Sequence, residues 1–217
     1  MIRQDSPAIQ VGGYVLAGGA SSRFGRDKAL AHVAGKTLLQ RTIRLLGNVA
    51  DSVRVVTTGN RYAELPVIVL PDRWPGEGPL GGILSALHAS KECGHAWNVI
   101  VSCDMPFLTR EWLQYILDCS CTGHADVVFP RSRAGNEPLC ACWRTAAMPA
   151  LQAAFNGGLR SVTDATNAVA SKVLDETHWK PFDTAGRIFW NMNTPRDYED
   201  VVQILDAEKT SGKRRCR

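Results

Sequence analysis

Between Leu16 and Lys28 the chain reads Leu-Ala-Gly-Gly-Ala-Ser-Ser-Arg-Phe-Gly-Arg-Asp-Lys, so glycines, arginines and a lysine share one loop. Glycines let backbone N–H groups turn toward a ligand, and a nest of such groups binds anions. Arg23 and Arg26 suit bidentate contacts to phosphate, whereas Lys28 is a mobile point charge. A lone glycine pair such as Gly18-Gly19 would read as a turn with solvated charges; the added cations select phosphate binding. The loop is not a P-loop, because Gly25 is followed by Arg26 and Asp27, and the dinucleotide fingerprint G-x-G-x-x-G is absent from it.

Asp104 follows the apolar run Asn98-Val-Ile-Val-Ser102 and faces the same crevice if both runs are parallel strands. Phosphoryl transfer needs a hard cation on the phosphate oxygens, and Mg²⁺ is typically held by one or two carboxylates. Asp104 is therefore the candidate metal ligand. Asp72, just beyond another strand end, reads equally as a nucleotide or metal contact and as a turn residue. Gly78-Pro-Leu-Gly-Gly82 opens a helix with residues small enough for a base or ribose to approach the backbone. In Asn191-Met-Asn-Thr-Pro195, Thr194 and Pro195 are explained as caps; Asn191 and Asn193 are not, and suit polar contacts to a second substrate. The five histidines do not cluster, and no Ser/His/Asp set or H-E-x-x-H is present.

These loops need a scaffold. The run 11–17 reads as a buried strand, and 53–58, 67–70, 98–102, 126–129 and 139–143 as further strands. Thr37 with Gln40 predicts a capping box opening a helix over 37–46, with Leu39, Ile43 and Leu46 on one face. A Gly/Pro-rich loop, 71–82, feeds a helix carrying Ile83 and Leu87. Thr109 caps a helix that turns Trp112, Leu113, Ile116 and Leu117 inward, and an alanine-rich helix covers 145–155. Thr194, Pro195 and Asp197 start a last helix, whose Tyr198, Val201, Val202 and Leu205 recur at helical spacing. Strands alternating with helices predict a mainly parallel sheet covered on both faces, with ligands at the carboxyl ends of the strands. The chemistry should lie in the loops after Ala17, Thr58, Leu70 and Ser102.

A length of 217 residues suits one α/β domain, and 45% hydrophobic with 21% charged residues is ordinary globular composition. Residues 1–10 read as a flexible arm, 11–205 as the domain and 206–217 as a basic, disordered tail. A net charge of +4 is too weak and scattered for nucleic acid. Seven cysteines include the C-x-C pairs Cys119/Cys121 and Cys140/Cys142. No nearby histidine completes a metal site, so buried or idle reduced thiols in the cytoplasm are expected. No signal-peptide pattern and no apolar run long enough to span a bilayer is seen, so a membrane association is not expected.

The motifs L-A-G-G-x-S-S-R-F-G-x-D-K, G-P-L-G-G, C-D-M-P, E-P-L-C-A and N-M-N-T-P, in that order, resemble the molybdenum cofactor guanylyltransferase (MobA-like) family of GT-A-like nucleotidyltransferases. The resemblance implies an α/β fold, a Rossmann-like three-layer α/β/α sandwich on a mainly parallel sheet. It implies transfer of GMP from GTP to a molybdopterin phosphate with release of pyrophosphate, Mg²⁺ as cofactor, a monomer, and transient contact with proteins that carry or receive the cofactor. Leu16, Ala17, Gly18 and Gly19 would hold the nucleotide, together with Thr58, Asp72 and Gly78. Lys28, Arg23 and Asp104 would carry the catalysis, with Asp104 on both GTP and Mg²⁺, and Asn191 and Asn193 would face the molybdopterin. Thr58 stands where some members have asparagine, and Glu137-Pro138 replaces the family's His-Pro. The first motif is shared with cytidylyltransferases and sugar-phosphate nucleotidyltransferases; N-M-N-T-P is what favours the guanylyltransferase. A non-catalytic nucleotide-binding regulator is the reading from another class, and it could dispense with Asp104 or Lys28.

Overall fold

The alternation of apolar side chains along the predicted strands is realised in a single large sheet. The structure is a computed structural model describing residues 9–18, 24, 27–59, 61–183 and 185–214, with backbone only beyond Glu208. Strands β1 (Val11–Leu16), β2 (Ser52–Thr57), β3 (Ile68–Pro71), β4 (Trp97–Ser102), β5 (Val127–Ser132), β6 (Cys140–Arg144) and β7 (Ser171–Leu174) lie in the order β7-β5-β6-β4-β1-β2-β3. Neighbours pair in parallel except at β6, which runs antiparallel to both β4 and β5. A two-residue ladder, Gly135–Asn136, adds an eighth strand against β5. The chain builds outward from β1 through β2 to β3, then returns to lay β4 on the other side of β1. That reversal opens a crevice between the carboxyl ends of β1 and β4, the usual ligand site of such sheets.

Helices α1 (Leu38–Leu46), α2 (Pro79–Cys93), α3 (Arg110–Cys121), α4 (Met148–Asn156) and α5 (Pro195–Arg214) supply the cover. Val15, Val55, Val99, Val101, Cys140 and Cys142 point to one face and pack with Leu39 and Leu46 of α1 and Trp112, Leu113 and Ile116 of α3. Tyr14, Val56, Ile100, Phe129, Ala141 and Trp143 point to the other and pack with Leu80, Ile83, Leu84 and Leu87 of α2 and Leu151 and Phe155 of α4. The period of two in each strand thus feeds two cores, and three layers result. In β1, Gly13 is what lets α1 sit close: a Cβ there would lie 3.0 Å from that of Ala50 and 3.3 Å from that of Leu46.

The capping box of α1 forms as expected, Gln40 N donating to Thr37 Oγ1 at 3.1 Å and Thr37 N donating to Gln40 Oε1 at 3.1 Å. Thr109 accepts from Trp112 N at 3.2 Å at the start of α3. The final helix differs from expectation. It runs to Arg214, past Leu205, so the expected disordered tail is helical over 206–214. Asp206, Ala207, Glu208 and Lys209 carry no helix breaker, and helix formers continue a helix already nucleated. Its apolar stripe (Tyr198, Val201, Val202 and Leu205) packs with Met192, Phe24, Val33 and Leu38, so α5 clamps the segment that carries Asn191 and Asn193.

Elements without a strong sequence pattern were not anticipated. They include β7, the short helices Val162–Ala165 and Glu176–Trp179, and the hairpin formed by His32–Val33 and Lys36–Thr37. The hairpin turns on Ala34 (φ 52°) and Gly35 (φ 84°), the left-handed pair a two-residue primed turn demands. Alanine is a poor signal for that conformation.

The α5 cap provides a stability test. Asp197 Oδ2 accepts from Thr194 N at 2.7 Å and from Asn193 N at 2.9 Å, while Asp197 N donates to Thr194 Oγ1 at 3.2 Å. Burial opposes ionisation of Asp197, but those backbone donors outweigh it and hold the carboxyl below its ordinary range. A depressed folded-state pKa means the stabilisation is complete above the unfolded value and fades as pH falls through the folded one. Asp197→Ala is expected to cost about 1 kcal/mol in urea unfolding at neutral pH, with the gap to the parent narrowing in acid. A constant gap down to strong acid would show that the charge contributes nothing.

Candidate active site

The loops after β1 and β4 and the start of α2 enclose a cavity of about 410 Å³. Leu16, Ala17, Gly18, Lys28, Thr58, Asp72, Gly78 and Asp104, all singled out from sequence, line it together. Gly19, Arg23, Gly25 and Arg26 lie outside the described residues, so the anion nest is described only at its two ends. The parallel register explains the convergence. Leu16 of β1 lies opposite Ser102 of β4 and Val56 of β2, so the residues after each strand meet at one edge.

Lys28 Nζ is 2.5 Å from Asp104 Oδ2 and donates to Asn193 Oδ1 at 3.1 Å, which joins three loops far apart in sequence. Asp27 sets up this lysine. Its Oδ1 accepts from Ala29 N at 3.0 Å, capping the single turn Lys28–Leu30, and its Oδ2 accepts from Tyr62 Oη at 2.7 Å. Tyr62 is buried with φ 65°, a conformation a bulky side chain adopts only when its surroundings enforce it. Burial and then the bond to Asp27 push the Tyr62 phenol well above its ordinary value, so it remains a donor.

Asp104 is 8% exposed, and its second oxygen, Oδ1, is buried with no hydrogen-bond partner among the described residues. An orphaned buried acceptor costs on the order of 1–3 kcal/mol, which makes sense where a ligand completes it. The donor set fits a hard divalent cation: one carboxylate with an uncommitted oxygen at an anion-binding sheet edge. No group of three or more Asp, Glu, His or Cys converges among the described residues, so the other coordination positions would fall to phosphate oxygens and water.

Asp72 divides its duties. Its Oδ1 accepts from Trp74 N and from Ser85 Oγ, both at 3.0 Å, which is the turn-forming reading, yet the residue also lines the cavity. Gly78 (φ 84°) caps α2, Pro79 follows, and the positive end of a fifteen-residue helix faces the cavity. Gly82 sits one turn in, where a Cβ would lie 3.3 Å from Leu16 Cδ2. Sequence reading overlooked Asp27, Gly76, Ser102, Cys103 and Leu139 in the lining. One signal was available: Gly76, Gly78 and Gly81 have G-x-G-x-x-G spacing, after a strand and opening a helix. The lining thiol, Cys103, is pushed up to about 12 by burial and then by the Asp104 charge, which leaves it protonated and no nucleophile. Cys140 and Cys142 share one face of β6, as their spacing implied, and burial pushes both to about 12.

The two asparagines part company. Asn193 reaches the first cavity through Lys28, whereas Asn191 lines a second cavity of about 550 Å³ with Glu137, Trp179, Phe189 and Trp190. The connection between them is short: Met192, between the two asparagines, donates its N–H to Asp104 O at 2.8 Å. No described helix is long and apolar enough to cross a membrane.

Fold and site together define a nucleotidyltransferase. The chain belongs to the family of the MobA-like NTP transferase domain, whose family model matches residues 13–170. It is 29% identical to the molybdenum cofactor guanylyltransferase of Desulfosudis oleivorans over 93% of this chain and 98% of that protein. It is 32% identical to a probable molybdenum cofactor guanylyltransferase of Pelotomaculum thermopropionicum, over 93% and 97%. The crystal structure of molybdopterin-guanine dinucleotide biosynthesis protein A from Archaeoglobus fulgidus superposes with a TM-score of 0.78 at 23% identity, covering 90% and 99%. The same fold recurs in Rv0371C of Mycobacterium tuberculosis, crystallised with manganese, with a TM-score of 0.60 at 16% identity over 89% and 98%.

Proposed function

We propose that this chain transfers GMP from GTP to the terminal phosphate of molybdopterin, forming the guanine dinucleotide cofactor and releasing pyrophosphate. The observation that carries the reading is the Lys28–Asp104 pair at the β1/β4 switch point, inside a cavity rimmed by glycine backbone and the α2 N-terminus. The relatives named guanylyltransferases, matched over nearly their whole length, support guanine and molybdopterin as the two halves of the product.

The reaction forms one P–O bond and breaks another. An ionised oxygen of the acceptor phosphate attacks the α-phosphorus of GTP, and the bond to the β-phosphate oxygen breaks with its electron pair leaving on pyrophosphate. The nucleophile is already anionic at neutral pH, so no general base is required. Lys28 neutralises charge growing on the phosphates, and the loop N–H groups at Gly18 direct their dipoles at the same oxygens. Gly19 and Arg23 of the same loop are assigned to the grip on sequence grounds. Asp27 and Tyr62 hold Lys28 in place, and Thr58, Asp72 and Gly78 bound the nucleoside end. Asp104 would hold Mg²⁺ through its uncommitted oxygen, and that ion, when bound, would neutralise phosphate charge and orient the pyrophosphate leaving group. The manganese in Rv0371C supports a divalent cation at such a fold. Asn191 and Asn193 are assigned to the acceptor side.

The test is pyrophosphate release by the purified protein with GTP, Mg²⁺ and carrier-bound molybdopterin. Release that needs all three is expected, as is calorimetric preference for GTP over CTP, UTP and ATP. Clear CTP preference would convert the assignment to a cytidylyltransferase, and binding without release would make the protein a regulator.

A further inference from the structure

The second cavity has an unusual wall. Glu137 is half-buried in it, held by one side-chain bond, Ser132 Oγ donating to Glu137 Oε1 at 2.8 Å. Its backbone is fixed on both sides, Glu137 N donating to Pro130 O at 2.9 Å and Cys140 N donating to Glu137 O at 3.0 Å. Among the described residues no lysine or arginine forms an ion pair with it. Arg133 and Lys180, the cations of that cavity, are engaged with Glu176 at 3.1 and 3.9 Å. Burial, and then the nearby Asp104 charge, raise the Glu137 pKa against the opposing Ser132 bond, as expected of a carboxylate short of donors.

The rest of the wall is flat and aromatic. Trp179 is pinned by Nε1 donating to Arg131 O at 2.9 Å and meets Phe189 edge-on at 5.4 Å, while Trp190 stacks on Phe107 at 5.8 Å. A donor-poor carboxylate among rigid rings is complementary to a planar heterocycle bearing two adjacent N–H donors. The 2-amino-4-oxo edge of a pterin presents that pair, its amino group beside the ring N3–H. Asn191 lines the same cavity, and the next residue, Met192, donates its N–H to Asp104 O at 2.8 Å, which ties that wall to the first cavity.

We infer that Glu137 is the specificity residue for the acceptor's heterocycle: its carboxylate receives the two parallel N–H groups of the pterin edge while the ring lies in the cavity of Trp179, Trp190 and Asn191. The inference rests on the guanylyltransferase reading for the acceptor's identity, but not for its test.

Tryptophan fluorescence titrations with 6-hydroxymethylpterin and 6-hydroxymethyllumazine, which carries a 2-oxo group in place of the amino group, isolate the edge. The parent protein is expected to bind the pterin at least about ten-fold more tightly, because lumazine sets a carbonyl against the carboxylate. Glu137→Gln should reduce that preference to less than about two-fold, since an amide both donates and accepts. In turnover it should raise the KM for carrier-bound molybdopterin at least about ten-fold, leaving the KM for GTP and kcat unchanged. Equal or undetectable binding of both rings by the parent, or undiminished preference in the variant, overturns the inference without needing any variant's activity. So does a raised KM for GTP, because guanine carries the same donor pair. Ring discrimination without pyrophosphate release would instead retain Glu137 and sink the guanylyltransferase reading.

Discussion

Replacing Asp104 with alanine is expected to lower guanylyl transfer at least about 10²-fold, the scale of a lost electrostatic stabiliser, with thermal unfolding close to the parent. The fold should survive because the neighbouring chain hangs on the Asp104 backbone carbonyl, which accepts from Met192 N at 2.8 Å, and not on its carboxylate. The carboxylate itself meets Lys28 with one oxygen and leaves the other buried without a partner among the described residues, an arrangement better suited to receiving a ligand than to holding the fold. Removing it should therefore damage activity far more than stability. Asp104→Asn separates charge from shape: turnover should fall as far, and the Mg²⁺ concentration for half-maximal rate should rise. Near-normal turnover in either purified variant would remove Asp104 from the mechanism.

Lys28→Ala is expected to fall at least about 10²-fold as well, by a different route. In the proposed mechanism its charge serves the phosphates, so the loss should divide between a higher KM for GTP and a lower kcat, with the Mg²⁺ dependence little changed. Were Lys28 only a partner that keeps Asp104 in place, the Mg²⁺ requirement would shift with it and the KM for GTP would not. The two substitutions should combine less than additively, because the side chains are in contact and act on one cluster of charge. A fully multiplicative loss would show that they work independently.

Much of this site was legible in the order of residues. The 11–17 and 98–102 runs are apolar enough to be buried strands, and a residue following a buried parallel strand has only the carboxyl edge of the sheet to occupy. Asp104 and the glycine loop that ends at Lys28 could therefore be placed at one sheet edge before any distance was known. The caps at Thr37, Thr109 and Thr194 were legible for a similar reason: each is closed by partners within a few residues, and local hydrogen bonds leave local signatures. Asp72 was balanced between turn and ligand, and it lines the cavity while forming the turn.

Other features carried no such signature. Asp27 became a site residue only because Tyr62, held at positive φ, delivers its hydroxyl 2.7 Å from the carboxylate. The hairpin at Ala34-Gly35 has glycine at its second turn position but alanine where asparagine, aspartate or glycine usually announces the turn. The helical continuation over 206–214 was missed because a run of basic residues at the chain end outweighed the helix formers before it.

The sequence alone determined the class of chemistry in the loop from Leu16 to Lys28, the parallel sheet that must display it, and the acidic residue after Ser102. Each follows from composition and period over a short span, where bonding partners are neighbours. Only the tertiary structure decided that Asn191 and Asn193, two residues apart, diverge, Asn191 lining the second cavity and Asn193 bonding to Lys28, and that Glu137 faces an aromatic pocket with no ion-pair partner among the described residues. Those outcomes depend on how α5 clamps Met192 beside Asp104 and on how β6 turns back between β4 and β5. Contacts between residues so distant in the chain are set by packing of the whole fold, and no local pattern encodes them.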